Sequence, residues 1–362
     1  MRRFFLTVAL FTSFISFSQA KPIISFFNEL KTPELVNLFS DSSLIPTLKQ
    51  LNAEIRMGML DLTPERAAIV RRLTDGGVPV VAWLLLPVEK GYFFHAGNGD
   101  LAIQRYIETR KWAEQYGLKL KGMGLDLELD LNDVELGKKS PGKLVWTMYK
   151  RLYDKTVVEE GRKKYAELIA MIQEDGYMVE SYYASFIKDE VKLGNTSIQQ
   201  FSQFLDVKTD REIPMLYSSF MGNADGLMKI YGMDVNAKEV GIGSTGGGID
   251  TTMPTLSYEE LVHGMNIASR FADELHIFSL EGCVQKGYLT KLLSYQYDPG
   301  LTLDQKQVRQ VRKIQNFFKF MSSVLSYPTL LLIGILLLIL FVIGLVFIII
   351  RFLVRLATRL VH

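Results

Sequence analysis

The sequence predicts a (β/α)8 barrel. Three observations carry that expectation: eight short apolar runs, helical stretches between them, and a fourth run in which acids alternate with leucines. The chain has 362 residues, 48% hydrophobic and 22% charged, with a mean hydropathy of +0.13. That apolar content excludes disorder, and a lone cysteine, Cys283, excludes a disulfide scaffold.

The runs are residues 23–27, 54–60, 79–86, 122–129, 177–186, 213–220, 240–244 and 276–280. Their Val, Ile and aromatic content suits parallel strands buried on both faces. Punctuation between them marks helices. Thr63 precedes Pro64 as an N-cap before a first-turn proline, and Gly76-Gly77 closes that helix. Asp100 opens the next and Gly117 ends it. Residues 144–175 read as one long helical stretch stopping at Gly176, and Ser257 opens another running to about Ala272. Strand, helix and parallel strand in repetition is the barrel pattern. A doubly wound sheet would want a glycine-rich phosphate turn after the first strand, where Asn28-Glu29 stand instead. The glycine-dense run from Gly241 to Gly248 comes seventh and reads as a loop at the barrel mouth.

The two ends differ from the body. Residues 1–20 and 328–362 contain no acid but five of the 41 basic residues: Arg2, Arg3, Arg351, Arg355 and Arg359. Without them 36 basic residues face 39 acids. A slightly acidic body has no surplus charge for a phosphate backbone, which argues against nucleic acid as a partner. Arg2-Arg3, the uncharged run 4–18 and Ser18-Gln19-Ala20 have the layout of a signal peptide, residues 1–20. Thr329 to Ile350 is an uncharged run of 22 residues, long enough as a helix to cross a bilayer, so 328–350 is the expected membrane span. The arginines after it place 351–362 in the cytoplasm and the body, 21–297, on the periplasmic or cell-surface side. Between body and span, 298–327 reads as a basic amphipathic helix. Val308, Val311, Phe318, Met321 and Leu325 interleave there with Lys306, Arg309, Arg312, Lys313 and Lys319. It is expected to lie on lipid, pair with a second copy, or stand as a solvated linker. Asn195-Thr196-Ser197 matches the glycosylation sequon.

The fourth run carries the chemistry. Side chains alternate along a strand, so Gly122, Gly124, Asp126, Glu128 and Asp130 share one face and Met123, Leu125, Leu127 and Leu129 the other. If the leucines pack on the helices, the carboxylates point into the barrel and rise toward its C-terminal mouth. Neighbouring carboxylates raise one another's pKa. Cleavage of a glycosidic bond needs such a pair: one carboxyl protonated for the leaving oxygen, one to orient groups or support positive charge. Asp126, Glu128 and Asp130 are therefore the candidate catalytic residues, with Glu128 the preferred acid and Asp126 kept ionised by hydrogen bonds. The competing expectation is a satisfied core network in which these acids pair with an inward base such as Arg56.

The segment Gly124-Leu125-Asp126-Leu127-Glu128-Leu129-Asp130 resembles the fourth-strand motif of family 18 glycoside hydrolases, D-G-x-D-x-D-x-E. Met123 replaces the first Asp, and the last two acids are exchanged. Asp126-x-Glu128 also resembles the D-x-E of family 25 lysozymes. Both resemblances imply a barrel acting on sugars that carry 2-acetamido groups.

Other strand ends supply partners for a glycan substrate. Glu281 follows the eighth strand. Tyr182, Tyr183 and Tyr217 lie at the ends of the fifth and sixth, and the family 18 resemblance implies a tyrosine near there that stabilises developing charge. Asn28, Glu29 and Asp61 end the first two strands and are expected to bind hydroxyls. Trp83 is expected in the core, and Phe93, Phe94 and His95 in the loop that follows. The four histidines are scattered, so neither a zinc site nor a cofactor is expected. Two alternatives stay open: oxygen ligation of Mg2+ or Ca2+ by Asp126, Glu128 and Asp130 in a lyase or phosphodiesterase, and a barrel that binds a glycan without cleaving it.

Overall fold

The computed structural model describes residues 21–249, 252–298 and 300–360, with side-chain surroundings as far as Arg351. The expected signal peptide lies outside the described residues. A strand forms at each of the eight expected places: β1 (Ile23–Asn28), β2 (Glu54–Met59), β3 (Val80–Leu84), β4 (Gly122–Leu127), β5 (Met178–Tyr183), β6 (Arg211–Pro214), β7 (Glu239–Ile242) and β8 (Glu274–Phe278). The sixth stops well short of residue 220 because the chain turns into a short helix at Ser218–Met221. Every strand pairing is parallel, in the order β6-β5-β4-β3-β2-β1-β8-β7. A parallel bridge between Met215 and Gly241 brings the two edges together. The fold is a nearly closed (β/α)8 barrel.

The main helices are α1 (Pro64–Asp75), α2 (Gly99–Gln115), α3 (Leu131–Lys139), α4 (Pro141–Arg151), α5 (Thr156–Glu174), α6 (Phe186–Lys192), α7 (Ser197–Ser202), α8 (Tyr258–Ala268), α9 (Gln305–Leu325) and α10 (Pro328–Leu360). Thr63 caps α1 by accepting from Arg66 N at 3.2 Å, and Ser257 caps α8 in a reciprocal box with Glu260. The expected single helix over 144–175 is two helices. The first ends at Arg151, and Asp154 then accepts from Thr156 N (3.0 Å) and Oγ1 (2.6 Å), a turn that leads into α5.

Alternation sorts the strand residues as the pattern requires. Met123, Leu125 and Leu127 join the core between sheet and helices. The inward residues form two layers. At the N-terminal end, fully buried Arg56 donates to Glu180 through Nε (3.1 Å) and Nη2 (2.7 Å) and pairs with Glu54 at 3.0 Å and Glu274 at 2.8 Å. Arg211 pairs with Glu180 at 3.0 Å, Glu239 at 2.5 Å and also Glu274. Burial pushes the Glu274 carboxyl up, but His276, Arg56 and Arg211 outweigh it and pull it down to about 2. Above this ionic layer Phe27, Trp83, Tyr182, Ile213 and Phe278 form an aromatic one. Phe27 meets Trp83 and Tyr182 edge to face, with centroids 5.1 and 4.8 Å apart.

The amphipathic helix α9 neither stands free nor floats as a linker. It packs against α6 and α7, with Val311, Gln315, Ser322 and Leu325 buried. Gln315 Nε2 donates to Asp189 at 2.8 Å, and Phe318 stacks on Phe186 at 4.6 Å. The sequon's Asn195 is taken up in the same contact, donating to Ser322 O and Oγ at 3.0 and 2.9 Å. The helix completes the outer layer of the barrel where α6 and α7, of seven and six residues, are too short to cover it. Helix α10 is long and apolar enough to cross a membrane over Pro328–Arg351, with a mean hydropathy of 3.5, and none of that stretch is buried in the body.

Candidate active site

The carboxylates of interest gather where the strands end. Asp126 is the penultimate residue of β4, and its carboxyl points into the aromatic layer, where Trp83 Nε1 donates to Oδ2 at 3.1 Å. Its other oxygen is buried with no partner among the described residues. Trp83 is only 3% exposed, as a core residue should be, yet it also lines the recess and holds the candidate acid. Glu128 follows the strand and lines the same recess.

Asp130 leaves the cluster. The strand ends at Leu127, so alternation no longer governs it. It becomes the N-cap of α3, accepting from Asn132 N (2.8 Å) and Nδ2 (2.9 Å), with His95 Nε2 at 3.6 Å. The Mg2+ or Ca2+ alternative built on Asp126, Glu128 and Asp130 is for the same reason not assembled as that trio. Among the described residues a metal-compatible trio occurs at Glu239, Glu274 and His276, but Arg56 and Arg211 already neutralise that group. Arg56 is likewise committed to the lower layer, which removes the expected pairing with Asp126 and Glu128.

Two further carboxylates converge from the ends of the chain's first and last strands. Glu281 accepts from Asn28 Nδ2 at 2.8 Å and from Glu29 N at 3.1 Å. Glu29 accepts from Tyr92 Oη and from Ile249 N, the latter at 3.0 Å. The glycine loop makes this possible. Gly247 and Gly248 have φ of +85° and +83°, and a Cβ on either would run into Glu281 or Glu29 respectively. The loop at the mouth is therefore wrapped directly onto the carboxylates.

Tyr182 and Tyr217 line the recess. Tyr182 donates to Glu180 at 3.0 Å, which ties the two interior layers together. The ring of Tyr217 fills space left by Gly241 and Gly243. Tyr183 does not join them: adjacent strand residues face opposite ways, and it lies outside the recess under Lys188 at 5.1 Å. Asp61 is held by Arg66 at 2.9 Å and Thr32 Oγ1 at 2.5 Å, on the wall of an outer groove. The inner recess has a volume of about 90 Å³ and the outer groove about 740 Å³. They share Glu29 and Ile249 as a common wall, so the two lie side by side at the mouth. The outer part has the size of ordinary ligand sites.

Burial sets the electrostatics. It pushes Glu29 up to about 7, against the hydrogen bonds from Tyr92 and Ile249 and with help from the charges of Glu281 and Glu128. Glu128 keeps part of its surface toward the recess, but the packing around its carboxyl pushes it up to about 7 as well. Asp126 is raised well above the ordinary range by burial and then by Glu128 and Glu29, with only Trp83 opposing. Burial therefore works against the ionised Asp126 that the sequence suggests, and one hydrogen bond from Trp83 opposes it.

These shifts predict a pH dependence of stability. A carboxyl raised in the folded state binds its proton more tightly there than in the unfolded chain. The stability this adds is complete below about pH 4.5 and lost as pH rises through about 7. The difference in Tm between Glu29→Gln and the parent should therefore shift in the variant's favour between pH 5 and 8, by calorimetry in detergent. A pH-independent difference would contradict the assigned shift.

Sequence reasoning placed Glu29 only as a hydroxyl binder and left out Tyr92, Ile249 and Phe278. Tyr92, in a turn, and Ile249, in the glycine loop, carry no motif. Phe278 looks like any other apolar strand residue.

Compared as a sequence, the chain matches no family model and no curated protein. Compared as a structure, it is similar to several solved barrels at low scores. A 3-keto-D-glucoside 4-epimerase from E. coli is 11% identical, with 75% of this chain and 99% of that one covered and a TM-score of 0.40. A sugar phosphate isomerase/epimerase from Parabacteroides distasonis is 13% identical, covering 78% and 98%, with a TM-score of 0.41. A β-1,3-glucanosyltransferase from Rhizomucor miehei, in complex with laminaritriose, is 14% identical, covering 71% and 86%, with a TM-score of 0.38.

Proposed function

We propose that this chain is a membrane-anchored glycoside hydrolase that cleaves a glycan by carboxylate acid–base catalysis at the barrel mouth. The observation that carries the reading is the group Glu29, Asp126, Glu128 and Glu281. Glu29, Asp126 and Glu128 line one recess, Glu281 packs against the Glu29 backbone behind it, and none draws on a cation for its charge among the described residues. A structural cluster would be neutralised, as the lower layer of the same barrel is by Arg56 and Arg211. Glu128, protonated near neutrality, gives its proton to the leaving glycosidic oxygen. Glu29, across the cleft and ionised in the complementary fraction, takes a proton from the attacking water or supports the positive charge at the sugar carbon. Glu281, held by Asn28 and the Glu29 backbone, accepts sugar hydroxyls, and the rings of Tyr217 and Phe93 offer faces for the sugar to stack on. Asp126 orients Glu128 or an acetamido group.

The test is cleavage of a glycan panel, N-acetylated polymers included, by the full chain in detergent, with and without a chelator. New reducing ends that survive chelation support the reading. Binding without cleavage would make the barrel a glycan receptor, and cleavage abolished by the chelator would make it a metal enzyme.

The anchoring half of the proposal rests on α10, with the body on the periplasmic or cell-surface side and the arginines beyond Ile350 in the cytoplasm. Protease added outside intact cells is expected to remove the body and leave a small membrane-bound fragment. A body that is digested only after lysis would reverse the topology.

A further inference from the structure

The insertion that follows β4 carries a surface no part of the body covers. Trp146 on helix α4 and Tyr153, two residues past its end, are each 54% exposed, and between Pro141 and Tyr153 there is no acidic residue. Trp146 stacks on Tyr149 at 5.6 Å, and the Tyr149 and Tyr153 hydroxyls are 2.7 Å apart. These rings run along one side of the helix, flanked by exposed Lys143 and Lys150.

The ladder ends at the start of the apolar helix. Tyr149 Oη donates to the carbonyl of Pro328, the first residue of α10, at 2.8 Å. Tyr327, one residue earlier, is 65% exposed. Leu331, in the first turn of α10, packs in the same small cluster as Tyr149, Leu152, Leu325 and Leu129. Leu129 is the residue after Glu128, so the helix departs from the mouth side of the barrel. Apolar helix, aromatic rings and lysines thus occur together at one place, the three kinds of group that suit a bilayer's hydrocarbon, interface and anionic head groups.

We propose that the Trp146–Tyr149–Tyr153 face of α4 lies in the head-group layer of the bilayer that α10 crosses, holding the barrel mouth at the membrane surface. The occupant of this face is lipid. Its aromatic rings are amphipathic, the helix carries no acid beside Lys143 and Lys150, and the chain itself delivers the face to the point where the span begins. The inference rests on the membrane reading of α10 but on no assumption about catalysis. A mouth held there is supplied with glycans that are themselves attached to lipid or lie against the membrane.

The chain offers its own probe. Of its three tryptophans, Trp83 and Trp112 are 3% and 4% exposed, so Trp146 is the one that can meet a quencher outside the body. The full chain is reconstituted into phosphatidylcholine–phosphatidylglycerol vesicles containing lipid brominated near the head-group end of the acyl chains. The expected result is a loss of tryptophan fluorescence relative to unbrominated vesicles, absent in Trp146→Phe and smaller in Lys143→Glu/Lys150→Glu. A chain that floats with the vesicles but is quenched only by aqueous acrylamide overturns the docking and leaves the anchor standing. A chain that does not float with vesicles overturns both. Neither result bears on glycan cleavage, which is measured separately.

Discussion

Glu128→Gln is expected to lower turnover by about 10²–10⁴ while leaving substrate binding nearly intact. The amide keeps the shape of the carboxyl and its place in the recess but has no proton to give at neutral pH. The variant should also fold at least as well as the parent, because burial that pushes an acid up to about 7 also disfavours its charged form. A pH–rate profile on the cleaved glycan provides the check. The parent should lose activity above about pH 7 as Glu128 ionises. Near-parental turnover in Glu128→Gln would transfer the acid role to Glu29, the other carboxyl raised to about 7. Both outcomes are read on the same substrate, so a folding defect, visible as a lowered Tm, is separable from a lost proton donor.

Arg56→Met is expected to be the most damaging single change to stability. Arg56 is completely buried and holds Glu180 in a two-pronged contact while also serving Glu54 and Glu274. Removing one partner of a buried ionic network typically costs about 3–5 kcal/mol, since the other charges remain without compensation. In a domain of this size that corresponds to a fall in Tm on the order of 10 °C. The exposed Lys163–Glu160 pair, 2.7 Å apart, is the comparison: Lys163→Ala should leave Tm unchanged within error. The Arg56 variant should also soften the active site, because Glu180 is the acceptor for Tyr182, a wall of the recess. Equal melting of parent and Arg56→Met would show that Arg211 alone satisfies the lower layer.

The barrel, the strand positions and the apolar terminal helix were legible in the sequence because each is a local or periodic property. Strands such as Val80–Leu84 are buried on both faces and so read as unbroken apolar runs. The alternation of Asp126 with Leu125 and Leu127 correctly told inside from outside. Alternation stops being informative where the strand stops, so Asp130 continues the pattern in sequence but not the cluster in space, whereas within β5 alternation itself separates Tyr183 from Tyr182. The meeting of Glu29 with Glu281 joins positions 252 residues apart in the chain. That of Arg56 with Glu180 joins positions 124 apart. Which inward residues face one another across a barrel depends on the stagger of its strands and the path of its loops, and no single strand contains that information. Likewise α9 has an apolar stripe that any partner would satisfy. Only the tertiary structure decided that α6 and α7, too short to cover the barrel wall, leave the space that this helix fills. The sequence alone determined which residues could carry chemistry; closure of the barrel decided which of them share a cleft.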